Sequence, residues 1–143
     1  MESTGKQLAV KEYTPELMTT ATDMVKIMAD VQKMAISKKP LEETKTEFKG
    51  LVEKFKVSTK KIKELNPPNE FKEEHQKVVK AMDLYDEAYT LQLESLEDMN
   101  QDKMKHFLEL IAEGGKYWKK AAANIGEKQN KLLNGGSNEN GLN

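Results

Sequence analysis

A chain of 143 residues, 37% apolar and 33% charged, is sized for one domain with a real core beneath a strongly solvated surface. A net charge of −1 provides no global field for nucleic acid or anionic lipid, and all 23 basic residues are lysine, so the guanidinium forks that read phosphate and guanine are missing. The absence of cysteine rules out disulfides, thiolate metal sites and a cysteine nucleophile, and no apolar run approaches the ~20 residues of a membrane span.

Residues 1–13 are polar and mixed, and they read as a flexible lead-in or tether; their start lacks the basic and apolar segments of a signal peptide. Thr14-Pro15-Glu16 predicts a helix start: hydroxyl cap, proline in the first turn, acid against the positive helix end. Leu17, Ala21, Met24, Met28, Val31 and Ala35 then follow at steps of four and three. Ser37-Lys38-Lys39-Pro40 breaks this helix, and Glu42 and Glu43 open a second one with the expected charge sense. Its ladder is Leu41, Thr44, Phe48, Leu51, Phe55, Ser58, Ile62 and Leu65, closed by Pro67-Pro68.

The double proline also starts the third helix, the longest uninterrupted pattern in the chain. Phe71, His75, Val78, Met82, Tyr85, Tyr89, Gln92, Leu96 and Met99 alternate by threes and fours, and Val79, Leu84, Ala88 and Leu91 widen the buried face. At 1.5 Å per residue the element spans roughly 45–50 Å. The step of five from Met99 to Met104 would rotate the stripe off its face, so a tight turn capped by Asn100 or Asp102 is expected there, with one continuous helix as the alternative. The fourth helix carries Met104, Leu108, Ile111, Gly115, Trp118, Ala122, Ile125 and Leu132.

Four long helices on short connections predict an all-α, antiparallel up-down-up-down bundle over residues 14–133, followed by a disordered tail over 134–143. Steps of seven imply gentle left-handed supercoiling.

No constellation in the chain points to catalysis, a cofactor or a metal. A di-iron bundle needs Glu-x-x-His, and the residues three before His75 and His106 are Lys72 and Lys103. His75 sits on the seam, as do the polar Ser58 and Gln92, so a hydrogen-bonded structural histidine is expected, with a pH-sensitive or ligand-contacting group as the sharper reading. Tyr85, Tyr89, Tyr117 and Trp118 lie on the third and fourth helices, with Gly114-Gly115 beside the last two; a glycine pair inside a helix forfeits stability. Either a tyrosine ring packs into the gap or a small ligand does.

Charge is uneven. From Asp83 to Asp102 there are seven acids and no lysine, whereas lysines cluster over 54–63 and 116–131. In an up-down bundle this gives a rod with a basic end beside the N-terminus and an acidic end opposite. Glu94, Glu97, Asp98 and Asp102 would form an acidic surface for a protein partner. The basic end would suit peripheral association with an anionic envelope.

Pro67-Pro68-Asn69-Glu70-Phe71, followed by His75 and Ala81, resembles a segment of small helical-bundle domains in Bacillus-type lipoproteins and secreted proteins, which are also lysine-rich and free of cysteine in their mature domains. The leader and lipid-bearing cysteine of that family are not in this sequence. The resemblance implies an extracytoplasmic, envelope-associated location more than a chemistry. The reading of the whole chain is a non-enzymatic binding or spacer bundle with a protein partner and no nucleic acid. A cytoplasmic or phage-encoded bundle that regulates a protein partner is the alternative, and a small-molecule binder at Gly114-Gly115/Trp118 a further one.

Overall fold

The structure, a computed structural model, describes the backbone of residues 7–35, 41–98 and 101–142, and side-chain surroundings over 7–34, 42–98 and 101–133. Four helices account for nearly all of it: α1 Val10–Ala35, α2 Leu41–Lys63, α3 Lys72–Asp98 and α4 Gln101–Leu142. A 3-10 turn, Asn69–Phe71, leads into α3, and no strand is present among the described residues.

α1 begins four residues before the expected Thr14 start. Leu8 N–H donates to the Asn66 carbonyl at 2.8 Å, and Ala9 N–H donates to Glu12 Oε1 at 2.8 Å. That second bond is the acid half of a capping box, so Glu12 starts the helix and Pro15 lies inside it. The proline removes the donor that Lys11 C=O would have used, a cost softened because Lys11 is exposed to water. Residues 7–13 are therefore docked structure. Residues 1–6 of the expected tether lie outside the described residues.

α2 has Glu42 and Glu43 in its first turn and Lys60, Lys61 and Lys63 in its last, the charge order its dipole favours. Pro68 caps the 3-10 turn, whose Phe71 N–H returns to the Pro68 carbonyl at 2.9 Å. α3 is described to Asp98 and α4 from Gln101, and the chain reverses direction between them, which excludes one continuous helix. Met99 and Asn100 lie outside the described residues. α4 extends through Leu142; the expected disordered tail, 134–143, falls outside the residues whose side chains are described.

Contacts descend on one helix as they ascend on its neighbour. α3 meets α4 through Glu74–Lys128, Tyr85–Gly114, Tyr89–Phe107 and Glu94–Lys103. α2 meets α3 through Lys63–Asp83, Thr59–Asp86 and Phe55–Tyr89. Thr14 on α1 meets Gln129 on α4. Successive helices thus run antiparallel, with the α3–α4 contact the most extensive and α1–α4 the least.

The core is continuous along the rod. Tyr13, Leu17, Met24, Phe48, Phe55, Ile62, Phe71, Val78, Met82 and Ile125 are almost fully buried. At mid-length Phe48, Phe55, Tyr85, Tyr89 and Phe107 form one aromatic cluster, with Phe55 and Tyr89 edge-to-face at 4.6 Å. The α4 stripe is shifted from the expected one. The buried positions are Phe107, Leu110, Gly114, Ala121 and Ile125, whereas Leu108 is 59% exposed and Leu132 is also exposed. Glycine and alanine carry the closest approach to α3, and such small residues do not register when apolar side chains are counted.

Candidate functional site

The densest polar cluster in the interior lies at the end of the rod where α1 and α3 begin and α2 and α4 approach their ends. The core stripe of α1 places Tyr13 there, wholly buried and stacked on Phe71 at 5.2 Å between ring centroids. The first turn of α3 supplies Glu74 and His75. Tyr13 Oη is 2.7 Å from His75 Nδ1, and His75 Nε2 is 3.5 Å from the Lys63 carbonyl. This arrangement suits a neutral imidazole protonated at Nε2, with the phenol donating to Nδ1.

Burial lowers the His75 pKa from its ordinary value, and the Lys63 carbonyl opposes that shift only in part. Burial, assisted by the nearby Glu74 carboxylate, raises the Tyr13 phenol far above its usual range. Tyr85 is raised by burial, and Tyr89 is pushed up to about 12 by burial and by Tyr85. At neutral pH the cluster therefore holds an uncharged imidazole and a protonated phenol. It pins α1 onto α3 and the end of α2.

Glu74 is the buried carboxylate next to it. Lys128 of α4 reaches it at 3.1 and 3.2 Å and also donates to the Glu70 carbonyl at 2.9 Å. One ammonium makes all three contacts, so the buried carboxylate is compensated by a single lysine that the Glu70 carbonyl helps to orient.

The other expected site residues are dispersed. Ser58 is buried on α2, but the partner of His75 is Tyr13. Gln92 lies near the opposite end of α3, where its Oε1 is buried without a partner among the described residues. Tyr85 and Tyr89 belong to the aromatic cluster. A Cβ on Gly114 would lie 2.8 Å from Tyr85 Cε1, so the tyrosine ring occupies the glycine gap; Trp118 is half-buried against the core. Glu94 and Asp98 both pair with Lys103, at 3.4 and 2.8 Å, while Glu97 and Asp102 are exposed.

Two of the hollows among the described residues are open to solvent. One of about 430 Å³ lies between α1 and α2, with Asp30, Met34, Gly50 and Leu51 among its walls. Another, of about 570 Å³, lies along α4 beside Glu113 and Tyr117. Among the described residues no group of three or more His, Asp or Glu side chains is placed to hold a metal ion, and no helix is long and apolar enough to cross a membrane.

Sequence reasoning missed Tyr13, Glu74 and Lys128. Tyr13 was legible, because it extends the Leu17–Ala21 spacing back by one step of four. The Glu74–Lys128 pair joins residues 54 positions apart and leaves no local signal.

No curated protein and no solved structure matches the chain. The family described as a domain of unknown function (DUF7018) matches residues 9–122, from the docked segment before α1 to the middle of α4, and the chain belongs to that family.

Proposed function

We propose that this chain is a non-enzymatic helical-bundle module that binds or spaces components at a bacterial cell envelope, of the kind carried by Bacillus-type lipoproteins. The supporting observation is the separation of charge along the rod. The half that contains the Tyr13–His75 cluster, residues 10–22, 53–66, 69–84 and 116–133, carries 14 lysines and 9 acids. The other half, residues 23–35, 41–52, 85–98 and 101–115, carries 6 lysines and 13 acids. A rod polarised in this way turns its lysine-rich half toward an anionic envelope, and Glu97 and Asp102 at the other end stay available to a protein partner. The interior supports the same reading, since Tyr13 and His75 bond to each other and Glu74 is paired with Lys128, which makes them ties between helices.

Co-sedimentation with phosphatidylglycerol vesicles tests the envelope reading. Binding is expected at low salt, falling steeply as salt is raised. Binding indifferent to salt, or no binding, overturns it.

A further inference from the structure

The hydrogen bond from Thr14 Oγ1 to Gln129 Oε1, 2.7 Å, fixes which sides of α1 and α4 face one another. Helical spacing from Thr14 leads to Met18 and Val25; steps of seven back from Gln129 lead to Ala122, Gly115 and Leu108. These two stripes would close the fourth seam of the bundle. Instead α1 and α4 share the smallest contact of the four neighbouring helix pairs, and Met18, Val25 and Leu108 are 37%, 54% and 59% exposed.

The charges around these stripes are of one sign. At 3.6 residues per turn, the sides of α1 and α4 that look outward beside the seam carry Lys11, Lys26, Lys33, Lys105 and Lys119. All five are exposed, and none is ion-paired among the described residues. The acids lie farther round the two helices: Asp30 beside Lys33 at the α1–α2 hollow, Glu109 and Glu113 with Lys116 on the outer side of α4, and Glu127 toward α3. Between the lysines the side chains are short (Thr22, Ala29, Ala112, Gly115, Ala123).

We propose that this α1–α4 face lies flat on an anionic lipid bilayer, with Met18, Val25 and Leu108 entering the interface and the five lysines reaching the headgroups. This face offers separated apolar side chains among five exposed lysines, a charge that an anionic surface complements. That is the pattern of a side that rests in the headgroup region, where lysine stems lie along the apolar boundary and keep their ammonium groups in water. The inference rests on the envelope reading and relocates the contact from the end of the rod to its side. Lys26, Lys33 and Lys105 belong to the acid-rich half, where contact through the basic end would leave them idle.

Three double variants separate the possibilities on phosphatidylglycerol–phosphatidylcholine vesicles: K26E/K105E on the face, V25S/L108S on its apolar stripe, and K61E/K131E in the basic half but off the face. All six side chains are exposed, and circular dichroism with a urea midpoint verifies each fold. Neutralising one lysine near an anionic surface weakens binding by roughly fivefold, so K26E/K105E is expected to lose more than about twentyfold. V25S/L108S should also weaken binding, K61E/K131E should act much less, and brominated lipid should quench Trp118, which lies on the seam side of α4. Loss confined to K61E/K131E overturns the face and leaves the envelope reading standing. No vesicle binding by the native chain overturns both. Equal binding to polyglutamate, unchanged in V25S/L108S, marks a general polyanion surface and overturns the lipid assignment.

Discussion

Two glycines show how differently the same residue acts in one fold. At Gly50 an added Cβ would meet nothing within 4 Å, so Gly50→Ala removes backbone freedom from the unfolded chain without a clash. It should stabilise the protein by about 0.5–1 kcal/mol in urea unfolding. At Gly114 the added carbon would lie 2.8 Å from the Tyr85 ring and 3.4 Å from the Ala81 carbonyl oxygen. Gly114→Ala should therefore destabilise by about 1–3 kcal/mol despite its better helix propensity, and Tyr85→Leu beside it should recover part of the loss. His75 makes a prediction about pH. Its folded pKa lies below the ordinary 6.5 of the unfolded chain, so between the two values only the unfolded chain is protonated. The stabilisation from the neutral ring is complete above pH 6.5 and is lost as pH falls through the folded value. Urea midpoints measured from pH 7.5 to 4.5 should drop more steeply for the native chain than for His75→Asn. Parallel curves would mean that the ring does not titrate against folding.

The helices themselves were largely legible, because long stripes with proline and charge signals at their ends leave little freedom about where each rod runs. Pro67-Pro68 between two such stripes gave the α2–α3 break, and the step of five after Met99 gave the α3–α4 break. Register on α4 was not legible for a reason that applies widely. The face that packs deepest carries Gly114 and Ala121, while the next face carries Leu108, Ile111 and Trp118, so counting large apolar residues favours the wrong side. The shift has a direct check. Leu110→Ala, at a buried position, should cost about 2–5 kcal/mol, whereas Leu108→Ala, at an exposed one, should stay within about 0.5 kcal/mol. The start of α1 was missed because Thr14-Pro15 imitates a cap so well. The stronger local fact is Glu12, which satisfies the Ala9 N–H and begins the helix a turn sooner. Of the candidate cluster, His75 was legible from its seam position. Its pairing was not: Tyr13 extends the α1 spacing as a core position, but it lies 62 residues from His75 and nothing local joins the two.

Across the whole molecule, packing is graded. α3 and α4 are joined from Glu74–Lys128 to Glu94–Lys103, α2 lies against α3, and α1 is held mainly by α2 and by contacts near its first turns. Amide hydrogen exchange should follow that order, slowest at the α3–α4 aromatic cluster and fastest in the second half of α1. Uniform protection along all four helices would contradict the graded arrangement. The same grading has a mechanical consequence for the segment before α1. The Leu8–Asn66 and Gln7–Pro67 hydrogen bonds, then Tyr13 with His75, are the first attachments met from that side. Tension applied to the backbone at Gln7 would load these few bonds in series before it strained any long helical seam. They would act as a fuse, releasing the front of α1 under a pull that the paired α3 and α4 rods could outlast.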